Sequence, residues 1–274
     1  MFLSVIIPAF NAEKTILTAV DSVTNELMSF DIDWELIIVN DGSTDNTIST
    51  LEDYFHNVIW GNQKVRIINK INEGVATARN TGLKSCNGDY VAFNDSDDVW
   101  LEGRLSLLLD TLLKNSKIDL IAGLHSNDNF KSNPFKKING LTRITIQDQL
   151  LKNYFSPQAS IFRKDILLKS GLFKDGMRFA EEGFFFNNIV YYGNAYIIPV
   201  QVSKEIISKN RWGDEGLSGN LWEMEKGELS NFKEAYDRKQ VGLFFYLLAV
   251  IISLIKFSKR VFITLARKRF NIFR

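Results

Sequence analysis

The chain has 274 residues, 45% hydrophobic and 24% charged, which excludes a disordered or low-complexity protein and bounds it to one large domain or one domain with an extension. Net charge is +1, so the chain lacks the overall basic character of a nucleic-acid binder, and none is expected as a partner. A single cysteine, Cys86, excludes an internal disulfide and a cysteine zinc centre, and two histidines, His56 and His125, exclude an all-histidine metal site. The opening MFLSVIIPAFNAEKT has no basic stretch and no small-residue cleavage site, so it reads as a strand rather than a secretory leader and points to the cytoplasm. Leu3–Pro8 is apolar without alternation, as in a strand buried on both faces. Asn11 then reads as the N-cap of a helix carrying Ile16, Val20, Val23 and Leu27 at helical spacing. Glu35–Val39 is a second strand, Asn40–Asp45 a turn, and a helix follows to about Phe55. Val65–Asn69 is a third strand. The helix Gly74–Cys86 carries small residues at Gly74, Ala76, Ala78 and Gly82, which permit close packing. Tyr90–Phe93 is a fourth strand and runs into Asn94-Asp95-Ser96-Asp97-Asp98. This alternation predicts βαβ units and a parallel sheet.

Beyond residue 100 the pattern predicts a helix over Leu101–Asn115, a strand over Ile118–Leu124 and a polar loop over His125–Gly140. Ser156–Phe162 reads as extended, Arg163–Ser170 and Ala180–Tyr191 as helices. Ala195–Val200 and Val202–Ser208 read as a strand pair, and Asn220–Asp237 as an exposed helix. No Pro/Gly/Ser linker interrupts residues 1–237, which we take as one domain, with a nucleotide-binding half (1–100) and an acceptor half (101–237). Residues 238–274 form a helical extension.

In an open parallel sheet, ligands collect at the carboxyl ends of the strands. Three features fall there: Asp41, the turn Asn72-Glu73-Gly74, and the Asp95/Asp97/Asp98 cluster. Three carboxylates within four residues repel one another unless a cation or proton neutralises them. Mg²⁺ and Mn²⁺ suit such oxygen sites and leave positions for phosphate oxygens. The plainer reading is a solvated turn that caps the next helix. Asp41 is either the start of a helix or a carboxylate that accepts an N–H from a ligand base. Arg79 is either a solvated helix residue or a ligand contact. Neither G-x-G-x-x-G nor a P-loop occurs, so Rossmann-type dinucleotide binding and P-loop chemistry lack their glycine cradle.

Taken in order, Val5-Ile6-Ile7-Pro8-Ala9-Phe10-Asn11, Val39-Asn40-Asp41-Gly42-Ser43-Thr44-Asp45, Asn72-Glu73-Gly74, Ala78-Arg79-Asn80-Thr81-Gly82 and Gly88-Asp89-Tyr90 with Asp95-Ser96-Asp97-Asp98 resemble the family-2 glycosyltransferases over residues 3–100. The resemblance implies the α/β GT-A fold, Rossmann-like, with a mostly parallel central sheet flanked by helices. It implies a nucleotide-sugar donor, most often a UDP-sugar, and direct displacement with inversion. Pro8, Asn11, Asp41 and Arg79 would line the nucleotide pocket. Asp95 and Asp97 would hold the ribose and the metal-diphosphate (Mn²⁺ or Mg²⁺), with Asp97 the direct ligand and Asp98 the alternative. Phe179-Ala180-Glu181-Glu182-Gly183 is similar to the family's Glu-Asp motif, which makes Glu182 the base that deprotonates the acceptor, with Glu181 as the alternative. Glu182 stands where the family usually has Asp, a difference of one methylene. Arg211 with Glu215-Gly216-Leu217-Ser218 is similar to a later stretch near the donor phosphates or acceptor.

Residues 256–274 carry seven basic side chains and no acid, so the rest of the chain is net acidic. Just before them, Val241–Ile255 is apolar but short of the about 20 residues a membrane span needs. A helix lying on the inner face of a membrane, its basic end against anionic lipid, is expected. A helix packed on the domain or on a second subunit is the alternative. A membrane location implies a growing glycan or lipid-linked glycan as acceptor, in surface polysaccharide synthesis. The competing function is a nucleotide-sugar-binding scaffold without catalysis, anchored by the same helix.

Overall fold

The apolar runs are unbroken because both faces of the sheet they form are covered. A computed structural model of the chain describes residues 1–56, 64–126, 136–207 and 219–271. Strands β1 (Phe2–Ala9), β2 (Asp33–Asp41), β3 (Lys64–Lys70) and β4 (Tyr90–Phe93) run parallel, with β1 between β2 and β4. Helices α1 (Ile16–Met28), α2 (Thr47–His56) and α3 (Val75–Ser85) make the crossovers. Along β1, Leu3, Val5 and Ile7 pack with Val20, Val23 and Leu27 of α1, whereas Ile6 turns to the opposite face and to α3. The small residues of α3 act as expected: a Cβ on Gly82 would lie 2.4 Å from Ile6.

The second half departs from the parallel pattern. After the short strand β5 (Asp98–Trp100) come α4 (Arg104–Lys114), β6 (Leu120–Leu124), β7 (Thr142–Ile144), α5 (Ile146–Leu151) and β8 (Ser160–Arg163). Then follow α6 (Leu167–Ser170), α7 (Glu181–Tyr192), β9 (Ala195–Gln201), β10 (Ser203–Glu205), α8 (Leu221–Asp237) and α9 (Leu243–Asn271). The sheet order is β3-β2-β1-β4-β8-β6-β9-β7, with β8 antiparallel to both β4 and β6, and β7 antiparallel to β9. The expected pairing of the two strands after residue 195 does not form. β9 pairs with β6 and β7, while β10 leaves the sheet to pair with β5.

Two further expectations are corrected. Asn11 does not cap α1: the helix begins only at Ile16, with Thr15 at the N-cap position, and Asn11 lies in the preceding loop with a left-handed φ of +49°. The α8 segment is not simply exposed, since Glu225, Asn231, Phe232 and Ala235 are buried. Helix α9 packs against α8 and α5, and Val241 and Ala249 join the apolar core that includes Phe185 and Phe186 of α7. Its opposite side exposes Phe244, Leu247, Ile251, Leu254, Ile255 and Phe262. Among the described residues no helix is long and apolar enough to cross a membrane.

Candidate active site

Because β1, β2 and β4 are parallel, their carboxyl ends meet at one edge of the sheet. There the loop after β1 is stitched to the turn after β2. Asn11 accepts from the Thr44 N–H at 2.8 Å and donates its own N–H to Ser43 Oγ at 3.0 Å, while the Ala12 N–H reaches Thr47 Oγ1 at 2.8 Å. Asn tolerates the left-handed backbone this loop requires. Pro8 is buried in β1 opposite Val39.

Asp41, at the end of β2, is also buried. Its carboxylate accepts from the Glu73 N–H (3.1 Å), the Gly74 N–H (2.8 Å) and Lys70 Nζ (2.7 Å). It therefore clamps the Asn72-Glu73-Gly74 turn to the sheet. Gly42 lets the turn come close, since a Cβ there would meet Asn72 N at 2.7 Å.

The acidic turn is built tightly. The Asn94 N–H bonds to Ile6 O at 3.1 Å, Asn94 Nδ2 reaches Asp98 O at 2.9 Å, and the Asp98 N–H closes on Asp95 O at 3.1 Å. The β5–β10 ladder then sets Asp98 opposite Glu205, and the Ile206 N–H bonds to Asp97 O. Asp98 is buried, and burial, reinforced by the charges of Asp95, Asp97, Glu205 and Glu182, pushes its carboxyl up to about 9. His125, which the sequence reading left outside the site, lies against it: Nδ1 is 3.0 Å from Ser203 Oγ, and Nε2 is 3.8 Å from both Asp98 and Glu205. The β5–β10 register that creates this group is long-range and leaves no local signal.

Arg79 corrects the solvated-helix reading. It is 2% exposed and its guanidinium faces Phe173, with the ring centroid at 5.4 Å. Nη2 bonds Asp95 at 2.8 Å, Nη1 bonds Glu181 at 3.1 Å, and Glu182 stands 3.7 Å away. Burial works against its charge, but Asp95, Glu182 and Glu181 outweigh it and hold its pKa above the usual value. One guanidinium thus joins the acidic turn to the start of α7, about a hundred residues later. Helical phase carried the signal: Arg79 is three residues from both Ala76 and Gly82, on the packed face of α3.

The two glutamates differ. Glu181 is buried, and burial pushes its carboxyl up despite Arg79; the Glu182 side chain is 30% exposed. Ala180, just before them, has a left-handed φ of +57°, which is strained for a residue with a side chain. Helix α8 supports that conformation: Asn231 Nδ2 donates to Ala180 O at 2.8 Å, and Gly227 packs so closely that a Cβ there would meet Phe179 O at 2.6 Å.

The structure therefore brings Arg79, Asp95, Asp97, Asp98, Glu181 and Glu182 together, with Pro8, Asn11 and Asp41 at neighbouring strand ends. Arg211 lies outside the described residues. The acidic turn suits a divalent ion in charge and in its hard oxygen donors. Among the described residues no group of three or more His, Cys, Asp and Glu is arranged to hold a metal by itself. An ion there would complete its shell from other oxygens.

The chain is 35% identical over 114 residues to the Escherichia coli UDP-Glc:alpha-D-GlcNAc-diphosphoundecaprenol beta-1,3-glucosyltransferase WfgD, covering 41% of this chain and 42% of that one. It is 28% identical over 195 residues to the minor teichoic acid biosynthesis protein GgaA of Bacillus subtilis (strain 168), covering 68% and 43%. The chain thus spans less than half the length of these relatives. Among solved structures, S. aureus TarS 1-349 in complex with UDP-GlcNAc superposes with a TM-score of 0.66 at 22% identity, over 86% of this chain and 67% of that one. The Pyrobaculum calidifontis mannosyltransferase PcManGT, in complex with GDP-Man and Mn²⁺, gives a TM-score of 0.66 at 17% identity, over 92% and 73%. These likenesses show the fold, a GT-A arrangement of sheet and helices. The sequence profile described as Glycosyl transferase family 2 matches residues 4–171, from β1 past the acidic turn to the end of α6, and the chain belongs to that family.

Proposed function

We propose that the protein is an inverting, metal-dependent glycosyltransferase. It moves a sugar from a nucleotide-sugar donor, a UDP-sugar in this reading, to a hydroxyl of a glycan or lipid-linked glycan in surface polysaccharide synthesis. The observation that carries this reading is the Arg79 bridge, which sets an acidic, phosphate-metal type of turn beside two glutamates at a helix start. The UDP-GlcNAc bound by TarS and the UDP-Glc in the name of WfgD support the donor class.

In this mechanism Pro8, Asn11 and Asp41 shape the nucleotide end, and Asp95 orients the ribose side while held by Arg79. Bound at Asp97, with Asp95 or Asp98, Mn²⁺ or Mg²⁺ would offset the charge that builds on the departing diphosphate. The acceptor oxygen attacks C1 of the sugar from the face opposite the diphosphate. The new C–O bond forms as the C1–O bond to phosphate breaks, the electron pair leaves with the diphosphate, and the anomeric centre inverts. Glu182 takes the hydroxyl proton. We assign it that role because Glu181 is buried and bonded to Arg79, whereas Glu182 is the more exposed of the pair. Glu181 then positions Arg79.

The test is turnover of a panel of nucleotide sugars with and without Mn²⁺. Asp97→Asn and Glu182→Gln are each expected to lower turnover by about 10²–10⁴-fold. Binding without turnover in every condition favours the scaffold reading instead.

Association with the inner face of a membrane belongs to the same proposal. The exposed apolar side of α9 and the exposed Lys259 and Arg267 support it. Lys256 and Arg260 turn inward, to Leu151 O and to Glu225 and Glu228, so lipid contact would fall to the outer residues. The full chain is expected to pellet with anionic vesicles and to be released by salt; salt-insensitive solubility overturns this part.

A further inference from the structure

Glu182 also borders a separate cavity of about 430 Å³, walled by α5, α7, α8 and α9 and by the segment before α7. Its volume lies within the roughly 300–1,000 Å³ of small-molecule sites. The acidic turn contributes nothing to its lining, so this space is distinct from the donor end of the site.

The walls have a particular chemistry. Gly183, without a side chain, lets Asn231 of α8 come close, since a Cβ there would meet Asn231 Nδ2 at 2.9 Å, and Asn187 lines the cavity one turn further along α7. Asn187 is 6% exposed, yet its carboxamide makes no hydrogen bond among the described residues. A carboxamide offers two donors and an acceptor, and here they remain for whatever fills the cavity. Arg178, at the rim, is exposed and forms no ion pair among the described residues. Leu150, Met224 and Phe232 give the lining an apolar component. Hydrogen-bonding groups beside an apolar surface match a sugar ring, which has a rim of hydroxyls and faces of C–H bonds.

We propose that this cavity is the acceptor subsite and takes a sugar residue of the acceptor glycan, with Asn187 and Arg178 binding its hydroxyls. Glu181 and Glu182 both line the cavity and lie within 4 Å of Arg79; one hydroxyl then reaches Glu182, the more exposed of the two. The assignment rests on the glycosyltransferase reading and adds to it where the acceptor sits. It also gives the C-terminal helices a part in acceptor choice, because α8 and α9 form part of the wall.

The experiment uses the full chain with UDP and Mn²⁺ present. Binding of p-nitrophenyl glycosides of glucose, galactose and their N-acetylamino counterparts is followed by saturation-transfer NMR, and UDP affinity is measured separately by calorimetry. At least one glycoside is expected to bind. Asn187→Leu and Arg178→Ala should each weaken it by about tenfold, the loss of one or two hydrogen bonds. UDP affinity should change by less than about twofold, because the two ends share no binding group. Arg178→Ala alters an exposed side chain, so it reports even if Asn187→Leu does not fold. A glycoside bound equally by the wild type and by each folded variant overturns the assignment. So does the binding of UDP with no glycoside. A chain that binds no UDP overturns the glycosyltransferase reading beneath it, and this assignment with it.

Discussion

Asp41 and Asp98 stand at the same edge of one sheet, and their carboxylates are treated in opposite ways. Asp41 is surrounded by donors: two backbone N–H groups and the Lys70 ammonium. Asp98 is set among the acids Asp95, Asp97, Glu205 and Glu182, with His125 Nε2 3.8 Å away. The first end is electrostatically complete and works as a structural clamp. The second lacks such donors, and in the proposed mechanism a cation or a diphosphate-bound metal would supply the missing positive charge. Two acidic strand ends of similar sequence character therefore have opposite electrostatic surroundings, and the difference lies in what the rest of the fold sets against them.

The most severe way to break this contrast is Arg79→Met, which removes the positive charge balancing Asp95 and Glu181. Loss of one partner from a buried ion pair costs about 3–5 kcal/mol, and denaturant unfolding is expected to show a loss of that size. Adding Mn²⁺ should move the other way by completing the open end. At a hundred times its dissociation constant the gain is about 2.7 kcal/mol, read as a rise in Tm that Asp97→Asn diminishes. Opening the closed end comes next: Asp41→Ala leaves the Glu73 and Gly74 N–H groups without their acceptor, while Lys70 keeps Glu73 and Ile71 O, at roughly 1–3 kcal/mol of stability. The smallest effect is a stabilisation. Burial and the neighbouring acids push the folded Asp98 carboxyl up to about 9, against about 4 when unfolded, so the folded state holds the extra proton between those values. Its contribution is fully present below about pH 4 and declines as pH rises to about 9. Asp98→Asn should flatten that decline, and at pH 8 without metal should leave the chain more stable than the wild type in denaturant unfolding. A variant less stable than the wild type at pH 8 would mean that Asp98 is compensated after all.

The first hundred residues were readable because their signals are local. Unbroken apolar runs mark buried strands, small residues mark the face of α3 that meets Ile6, and polar clusters mark the strand ends. What escaped depends on distant partners. Nothing near Ser160–Arg163 announces an antiparallel strand between β4 and β6, and three-residue strands such as β5 and β10 are too short for any period to register. The Asp98, Glu205 and His125 group follows from that pairing and was lost with it. The many Glu and Lys residues of Asn220–Asp237 suggest a solvent-facing helix, yet Glu225 and Asn231 lie inside. Both are buried with partners, Glu225 with Ser253 and Arg260, Asn231 with Ala180 O. Arg79 is the instructive case, because the helical phase that identified the packed face of α3 already included it; the general habit of arginine to sit in water outweighed the pattern.

The close approach of α8 to Phe179 limits how relatives of this chain can vary. Any side chain at position 227, even a methyl, would push the helix away from the backbone carbonyl it rests on. Lineages that keep this crossing should therefore retain glycine there, while those that have lost it should show a displaced helix and a different residue in place of Ala180.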